Sequence, residues 1–448
     1  MALYSTSIET QIIDPVFSSK NRCEFRIPDR DGSYLPNLRL GNVGVTTNAT
    51  PVVAVPYALG AGVASVIKRI QLMDGNEELD SLREANAWLT FKSFFRPNSE
   101  ASGIKMIEEG GAGRGFTSGT SLEVDVPLPS QKFANDVGAD SLEVFTGYID
   151  LRVIFPLLDQ MSHLNTKMFP NLRVVIEWET SEQRILISTG HSPVPTTPIL
   201  MADVIMDEAL VATLDSAMIG KPIRFDAIEV DRIGLAAVAA MPATGASVEQ
   251  AVTLQSKGFL GKYVKRICVQ KSAQDSTKNV DANALVRGFG ANGSLAMEGE
   301  QSNLRINGRN LLGGNGNTTA AQSMMNCTDT WGEINSYPFS AMNSVGLDNE
   351  EATTLNGPAG LPPTVPSLLI KTLAATAKQS QLIGQQAYLG FRLDERCDNL
   401  QLQYRRVGRT QIAASPPGTG AALNLTLYAE VSKQLVVRGM GDWAVSYV

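Results

Sequence analysis

The sequence predicts an all-β chain made of two tandem β-sandwich units. Its 448 residues are too many for one ordinary sandwich and suit two domains of roughly 200 residues each. With 43% hydrophobic and 19% charged residues, the chain can form packed cores, and its 39 glycines and 22 prolines suit many strands joined by turns. An internal repeat and several segments of alternating apolar and polar residues give this prediction its detail.

The repeat joins two pairs of segments at one fixed spacing. Ser65–Leu72 resembles Lys262–Val269, so that Lys68 aligns with Lys265, 197 positions later. Without a gap, Glu84–Leu89 falls at the same spacing on Asp281–Val286, and both contain Ala-Asn-Ala. In each copy we expect a strand, a polar turn and a short helix. A period of this size is too long for a solenoid and indicates a duplicated domain.

Period-two alternation predicts strands, because one face of an antiparallel strand packs on a core while the other faces solvent. The predicted strands are Ile149–Phe155, Leu172–Trp178, Leu400–Tyr404, Leu423–Val437 and Trp443–Tyr447. Helices are predicted only over about Leu79–Phe95 and Pro366–Leu382. Strands and helices do not alternate regularly, which argues against a parallel α/β fold.

We expect an N-terminal arm over 1–19, a first unit over 20–218 and a second over 219–448, with the junction near Ser216–Pro222. Asn171-Leu-Arg matches Asn424-Leu-Thr 253 positions later, so the second unit carries about 56 more residues than the repeat spacing of 197 requires. Most of this insertion should lie in the Asn/Gly-rich stretch 288–363, which is typical of long loops.

Composition disfavours several classes of function. A net charge of −7 without a block of Lys or Arg does not favour nucleic-acid binding. Two histidines argue against a multi-histidine metal centre. Four cysteines without a CxxC pair predict free thiols (Cys23, Cys268, Cys327 and Cys397). We find neither a signal peptide nor an apolar run of membrane-spanning length, so we expect folding in a cytosol-like compartment.

Candidate site motifs favour structural interpretations. Gly110–Gly115 resembles a phosphate loop but lacks the Gly-Lys-Ser/Thr ending. Glu177 and Glu179 could form a glycosidase pair, although a solvated or subunit-facing strand face is favoured. His163 and His191 are interpreted as loop and turn residues. The glycosylation sequons are expected to be unused (Asn48, Asn292, Asn317, Asn326 and Asn424). The sequence therefore predicts no catalytic, cofactor-binding or metal site.

The chain is similar to the double jelly-roll major capsid proteins of icosahedral double-stranded DNA viruses, which include polinton-like viruses, virophages and tailless phages. The resemblance covers about residues 20–448 and lies in the duplication, the long insertion and a set of strand motifs. These motifs are Ile67–Ile70, Val264–Ile267, Phe155–Leu158, Phe169–Trp178 and Leu423–Glu430. It brings no catalytic residues, because the family has none.

This resemblance implies two eight-stranded antiparallel jelly rolls with short helices and long insertion loops. It also implies a homotrimeric, pseudo-hexagonal capsomer that tiles an icosahedral virus shell. Such a protein would be located in the virion, after assembly inside the host cell. Expected partners are neighbouring capsomers, penton proteins and minor capsid proteins, with an internal membrane as a further candidate. The 288–363 insertion should form much of a tower and of the trimer contact, and the arm should reach under the shell. Two alternatives stay open, a viral penton or spike component and a glycan-acting hydrolase that uses Glu177 and Glu179.

Overall fold

Antiparallel strands dominate the computed structural model of the chain. The residues that it describes are 8–29, 32–47, 62–93, 143–185, 192–238, 248–273, 301–313, 316, 325–326, 329–331, 388–408 and 423–448.

The first half of the chain contains eleven described strands and four α-helices. The strands are β1 (Ile8–Ile13), β2 (Phe17–Ser18), β3 (Arg22–Arg26), β4 (Ser33–Tyr34), β5 (Arg39–Thr47), β6 (Ile67–Asp74), β7 (Glu77–Arg83), β8 (Glu143–Asp150), β9 (Leu172–Trp178), β10 (Val194–Pro195) and β11 (Ile199–Ile205). The helices are α1 (Ala85–Ser93), α2 (Pro156–Gln160), α3 (Glu182–Ile185) and α4 (Glu208–Met218), with 3₁₀ turns at Gly62–Val66 and Leu151–Val153.

The second half contains nine described strands. They are β12 (Pro222–Val238), β13 (Val248–Ser256), β14 (Lys262–Ala273), β15 (Gln301–Ile306), β16 (Arg309–Asn310), β17 (Tyr388–Cys397), β18 (Leu400–Gly408), β19 (Leu423–Gly439) and β20 (Asp442–Tyr447).

The second unit has the winding of a jelly roll. One sheet runs β12-β19-β14-β17, with β20 also paired to β19, and the other runs β13-β18-β15-β16. If β12 to β19 are counted from one to eight, these sheets read 1-8-3-6 and 2-7-4-5. Successive strands therefore cross from sheet to sheet, except that β15 and β16 pair within one sheet. This is the two-sheet, eight-stranded arrangement of the jelly roll.

The first unit repeats the centre of that arrangement. Its five-stranded sheet runs β2-β3-β9-β6-β7, in which β3-β9-β6 corresponds to β12-β19-β14. Its six-stranded sheet contains β1-β11-β5-β10 with β4 and β8, and the pair β5–β8 corresponds to β13–β18. The aligned repeat segments thus provide β6 and β14, which hold the same place in their sheets. The predicted duplicated all-β fold is confirmed.

Two predicted elements differ because local turn chemistry overrides the hydrophobic pattern. The stretch Leu79–Phe95 is not one helix, since the turn at Gly75 (φ 60°) sends the chain back as β7 beside β6 before α1 begins. The predicted strand Ile149–Phe155 ends at Asp150, whose side chain accepts a 3.0 Å hydrogen bond from the Arg152 backbone N–H and caps a 3₁₀ turn. The predicted helix Pro366–Leu382 lies outside the described residues.

The expected N-terminal arm and insertion are also corrected in part. From Ile8 the arm is built into the first unit, because β1 pairs with β11 and β2 pairs with β3. Within the 288–363 stretch, β15 and β16 are jelly-roll strands that continue the sheet beside β18. The extra residues of the second unit must therefore precede β15 or follow β16 in the sequence.

One apolar core runs through both units. It contains, for example, Phe25 and Trp178 of the first unit and Ile267 and Leu427 of the second. The predicted buried face of β19 is confirmed from Leu425 to Val437. On its other face Tyr428 and Glu430 are buried as well: the Trp88 ring stacks on Tyr428, and Arg266 of β14 binds Glu430.

Candidate functional site

In the described chain the two units meet at an interface, called the seam below, that contains buried charged groups, hydrogen bonds and aromatic contacts. There β7, at the edge of the first unit's five-stranded sheet, lies against β12, at the edge of the second unit's sheet, and α2 packs on β12 as well. Within the described residues β7 and β12 share no ladder of backbone hydrogen bonds. Between these two strands, the contact is therefore made by side chains.

Asp80 on β7 is a buried carboxyl at this seam, with 1% of its surface exposed. Its Oδ1 accepts a 2.9 Å hydrogen bond from the Ser81 N–H and its Oδ2 a 3.1 Å bond from the Leu157 N–H at the start of α2. Burial raises the pKa of Asp80 to about 7, against smaller opposing effects of these N–H groups and of Lys433. The carboxyl thus fixes α2, which in turn contacts β12.

A charged cluster of the second unit lies beside Asp80. Glu229 of β12 binds the Lys433 ammonium at 2.9 Å and the Lys262 ammonium, and it accepts a 2.7 Å hydrogen bond from the Tyr447 hydroxyl. Burial alone would raise the pKa of Glu229, but these partners hold it below its usual value. The charge of Lys433 also acts on Asp80 and lowers its pKa, although less than burial raises it.

The β19–β20 hairpin makes direct contacts across the seam. The Trp443 indole Nε1–H donates a 2.8 Å hydrogen bond to Asp74 Oδ2 at the end of β6. The Gly441 N–H donates to the Met168 carbonyl at 3.1 Å, and the rings of Phe169 and Trp443 lie 6.0 Å apart. The second unit is therefore attached to the first through both backbone and side-chain bonds.

An aromatic cluster joins α1 of the first unit to the second. The Trp88 ring stacks on Tyr428 of β19 at 5.5 Å, and Trp331 meets Trp88 edge-on at 5.4 Å. The Arg266 guanidinium lies 4.3 Å from the Trp331 ring centre and binds Glu430 through two nitrogens. Rings and charges of this kind stabilise contacts beyond their buried area, so the cluster fastens residue 331 and α1 to the same sheet.

The two candidate glycosidase carboxylates are held by different cations. Glu179 is 4% exposed, binds Arg184 at 3.0 Å, and accepts bonds from the N–H groups of Thr180 and Ser181. The Glu177 side chain is 44% exposed and faces Arg69 at 3.5 Å. Glu179 is therefore placed to fix the turn after β9.

His163 is fully buried in a hydrogen-bonded chain. Its Nδ1 lies 2.9 Å from the Ser162 hydroxyl and its Nε2 lies 2.8 Å from Asp215 Oδ1, while Asn165 donates to the other Asp215 oxygen. Asp215 belongs to α4, the helix that leads into β12. This chain therefore attaches the connection between the units to the first unit.

Several other sequence candidates lie outside the described residues, namely Gly110–Gly115, His191, Cys327, Asn48, Asn292 and Asn317. Asn424 lies within β19. Cys23, Cys268 and Cys397 are free thiols as predicted, and burial raises the pKa of Cys23 and Cys397 to about 11. The described residues bring no three His, Cys, Asp or Glu together as metal ligands. In the same part of the chain, no helix is long and apolar enough for a membrane crossing.

Sequence reasoning missed the seam. Asp80 has the one local signal, since it lies two positions from Leu82 on β7 and so takes a core-facing position that an apolar residue normally fills. Trp443 and Asp74 are 369 positions apart and carry no local sign of their contact.

Comparisons with known proteins give structural matches and no sequence matches. No protein-family model matches the chain, and no curated protein matches it in sequence. The capsid of the virus PBCV-1, in a quasi-atomic model, is similar with a TM-score of 0.56 at 10% identity, covering 98% of this chain and 96% of that one. The crystal structure of the mavirus major capsid protein is similar with a TM-score of 0.52 at 11% identity, covering 98% and 90%. The cryo-EM structure of the Sputnik virophage gives 0.51 at 11% identity, covering 99% and 88%.

These likenesses extend over nearly the whole chain, and at such identities they concern the fold. Together with the strand order of the two units, they show that the chain has the double jelly-roll fold of two tandem antiparallel sandwiches.

Proposed function

We propose that the chain is a viral major capsid protein whose homotrimer forms a pseudo-hexagonal capsomer of an icosahedral shell. The observation that carries the proposal is that two jelly rolls lie side by side in one chain and are fastened along a seam. Three such chains present six jelly rolls, so that a threefold assembly can fill a sixfold position. The solved structures with this fold include the PBCV-1 capsid and the mavirus major capsid protein, which supports a structural role in a virion rather than an enzymatic one.

The proposed domains are 20–218 and 219–448. The end of α4 at Met218 and the start of β12 at Pro222 support this limit, although residues 8–19 pair with the first domain. We propose that the parts of 288–363 around β15 and β16 contribute the tower and much of the trimer contact. Neighbouring capsomers, penton proteins and minor capsid proteins are the proposed partners, and an internal membrane is a further one.

The mass of the expressed full-length chain in solution tests the proposal. Light scattering should give three times the chain mass, and electron micrographs should show a six-sided outline. A monomer would overturn the capsomer assignment. A fivefold or fibrous particle would also overturn it, and would favour a penton or spike component instead.

A deletion tests the role of the insertion. Replacing 336–361 by a short Gly/Ser linker leaves β15, β16 and Trp331 in place, so the unfolding temperature should stay close to that of the intact chain. The trimers should be weaker, so that on dilution they dissociate at protein concentrations at which intact trimers persist. Loops tolerate deletion better than strands do. Unchanged trimers would show that the contact lies elsewhere.

A further inference from the structure

We propose that the outer face of the first unit's β2-β3-β9-β6 sheet binds the second unit of another copy of this chain. This face, called the open face below, lies opposite the buried side of the sheet and carries Phe17, Glu24, Arg69, Gln71, Val175 and Glu177. The inference rests on the self-association in the proposed function and adds to it a surface and a partner. It follows from the duplication, because the second unit has an equivalent face that the first unit covers.

The centre of the open face is repeated in the second unit. Arg69 and Arg266 are 197 positions apart, and Glu177 and Glu430 are 253 apart, which are the two spacings of the repeat. In both units the arginine lies directly opposite the glutamate on the neighbouring strand and forms an ion pair with it. Both ladders also shift register just before the arginine. The two faces are therefore equivalent at this pair.

The equivalent faces differ in what covers them. In the second unit, Trp88 of the first unit stacks on Tyr428, two positions from Glu430, and the Glu430 side chain is 9% exposed. The Glu177 side chain is 44% exposed. In the part of the chain that the structure describes, Arg69 and Glu177 form ion pairs only within their own sheet. One chain thus provides a first unit to cover this face of its second unit, and leaves the open face without such a cover among its described residues.

The geometry of the two ion pairs agrees with this difference. Arg266 binds Glu430 through Nε and through a terminal nitrogen, as a two-pronged pair. Arg69 reaches Glu177 with one terminal nitrogen at 3.5 Å, and its Nε has no hydrogen-bond partner among the described residues. Because exclusion of water strengthens bonds between charges, a cover over the open face would favour the two-pronged form there as well.

An exposed aromatic side chain lies at the rim of the open face. Phe17 of β2 pairs with Glu24, which pairs with Val175, so the three side chains point to the same side of the sheet. Phe17 is nevertheless 52% exposed. Aromatic residues and arginines are enriched in contacts between proteins, and the open face combines Phe17 with Arg69.

The duplication also identifies the partner. Within a chain, the contact joins a first unit to the equivalent face of a second unit. Between chains, the same kind of contact joins the second unit of one copy to the open face of the next. Contacts of this head-to-tail kind close into a ring when the rotation between successive units divides a full turn. Three chains, each with two units, then complete a ring of six units.

Carboxyl labelling of the wild-type protein with a carbodiimide and glycine ethyl ester tests the contact directly. Peptide masses should show that Glu177 is labelled several-fold more slowly in trimers than in chains dissociated by dilution. Asp398, with 71% of its side chain exposed, is the control and should react equally in both. Trimers in which Glu177 reacts as fast as in single chains would overturn this inference alone, whereas a wild type that is always monomeric would overturn it together with the proposed function.

Phe17→Asp tests the rim of the contact in sedimentation equilibrium. It should raise the protein concentration at which trimers are half dissociated by roughly tenfold or more. Val194→Asp is the matched control and should behave as the wild type does, since Val194 is 43% exposed on β10, another two-residue edge strand of the first unit. Equal effects of the two variants would overturn the inference. If Phe17→Asp does not fold, Phe17→Ser should still weaken the trimers, and trimers as stable as the wild type would count against the open face.

Discussion

Replacing Asp80 by asparagine should remove a pH dependence of stability that originates at the seam. Asp80 of β7 is buried against α2, and Lys433, whose charge lowers the pKa of Asp80, is bound to Glu229. Glu78, on the same strand, adds a negative charge that also favours the protonated form. Asparagine has a similar shape and keeps one oxygen acceptor, but it does not titrate.

The size of the effect follows from the native pKa of about 7, against 3.8 for an unperturbed group. A carboxyl with a raised native pKa stabilises the fold at low pH and loses this contribution as the pH rises towards the native pKa. Between these two values the native chain holds a proton that the unfolded chain has released. The free energy of unfolding therefore falls by up to about 1.4 kcal/mol per pH unit from this group. Because this slope halves at the native pKa, the loss from about pH 5 to about pH 7 is about 2 kcal/mol.

Urea unfolding of the wild type and of Asp80→Asn at these two pH values measures the effect as a difference of differences. The wild type should lose about 2 kcal/mol more than the variant over this interval. Asp398→Asn, at a position whose side chain is 71% exposed, is the control and should behave as the wild type does. If Asp80→Asn keeps the full pH dependence of the wild type, the reasoning about the buried carboxyl is wrong.

Four further predictions test other contacts. Trp443→Phe keeps the ring and removes the bond to Asp74, so thermal unfolding should show a loss of about 1–3 kcal/mol, and no loss would mean that the bond contributes nothing. Trp88→Ala should cost about 3–5 kcal/mol in urea unfolding because it empties the site beside Tyr428 and Trp331, and a loss under about 1 kcal/mol would contradict the packing. Glu179→Gln should lower the free energy of unfolding by about 3 kcal/mol, whereas the exposed control Glu177→Gln should lower it by under about 1 kcal/mol. Small and equal effects of both variants on stability, together with loss of a glycan-hydrolysing activity, would favour the enzyme alternative. Cys23 and Cys397 should resist alkylation at about pH 8 until the protein unfolds, which mass spectrometry can follow, and rapid labelling of the native protein would show that they are accessible.

The sequence predicts those strands in which apolar and polar residues alternate because only one face of the strand is buried. Leu425 to Val437 of β19 and Leu172 to Trp178 of β9 alternate because each strand lies between a core and a polar side. The repeat at Lys68 and Lys265 likewise locates two strands that hold equivalent places. Period alone fails where a cap intervenes, as at Asp150, whose side chain ends a strand inside an alternating segment.

The seam could not be predicted for a different reason. Its contacts join residues far apart in the chain, and each partner is unremarkable in its own segment. Trp443 appears only as an apolar member of the last strand, and Trp88 as part of a helix. Their roles depend on the order of the strands in two sheets, which fixes Asp74 beside Trp443 and Tyr428 beneath Trp88.

The departure of the two units from exact repetition has a physical reason in this seam. Both units share the order β3-β9-β6 and β12-β19-β14, but the next strand in the first sheet is β7, directly after β6 in the chain, whereas in the second it is β17, far along the chain from β14. The strand that differs in the first unit is also the one that lies against β12. A single chain can use the contact between its first and second units only once, so equivalent strands have different neighbours and carry different side chains. Asp80, which fixes α2 on β12, belongs to this strand, and duplication of the sandwich is thus compatible with a unique, asymmetric junction.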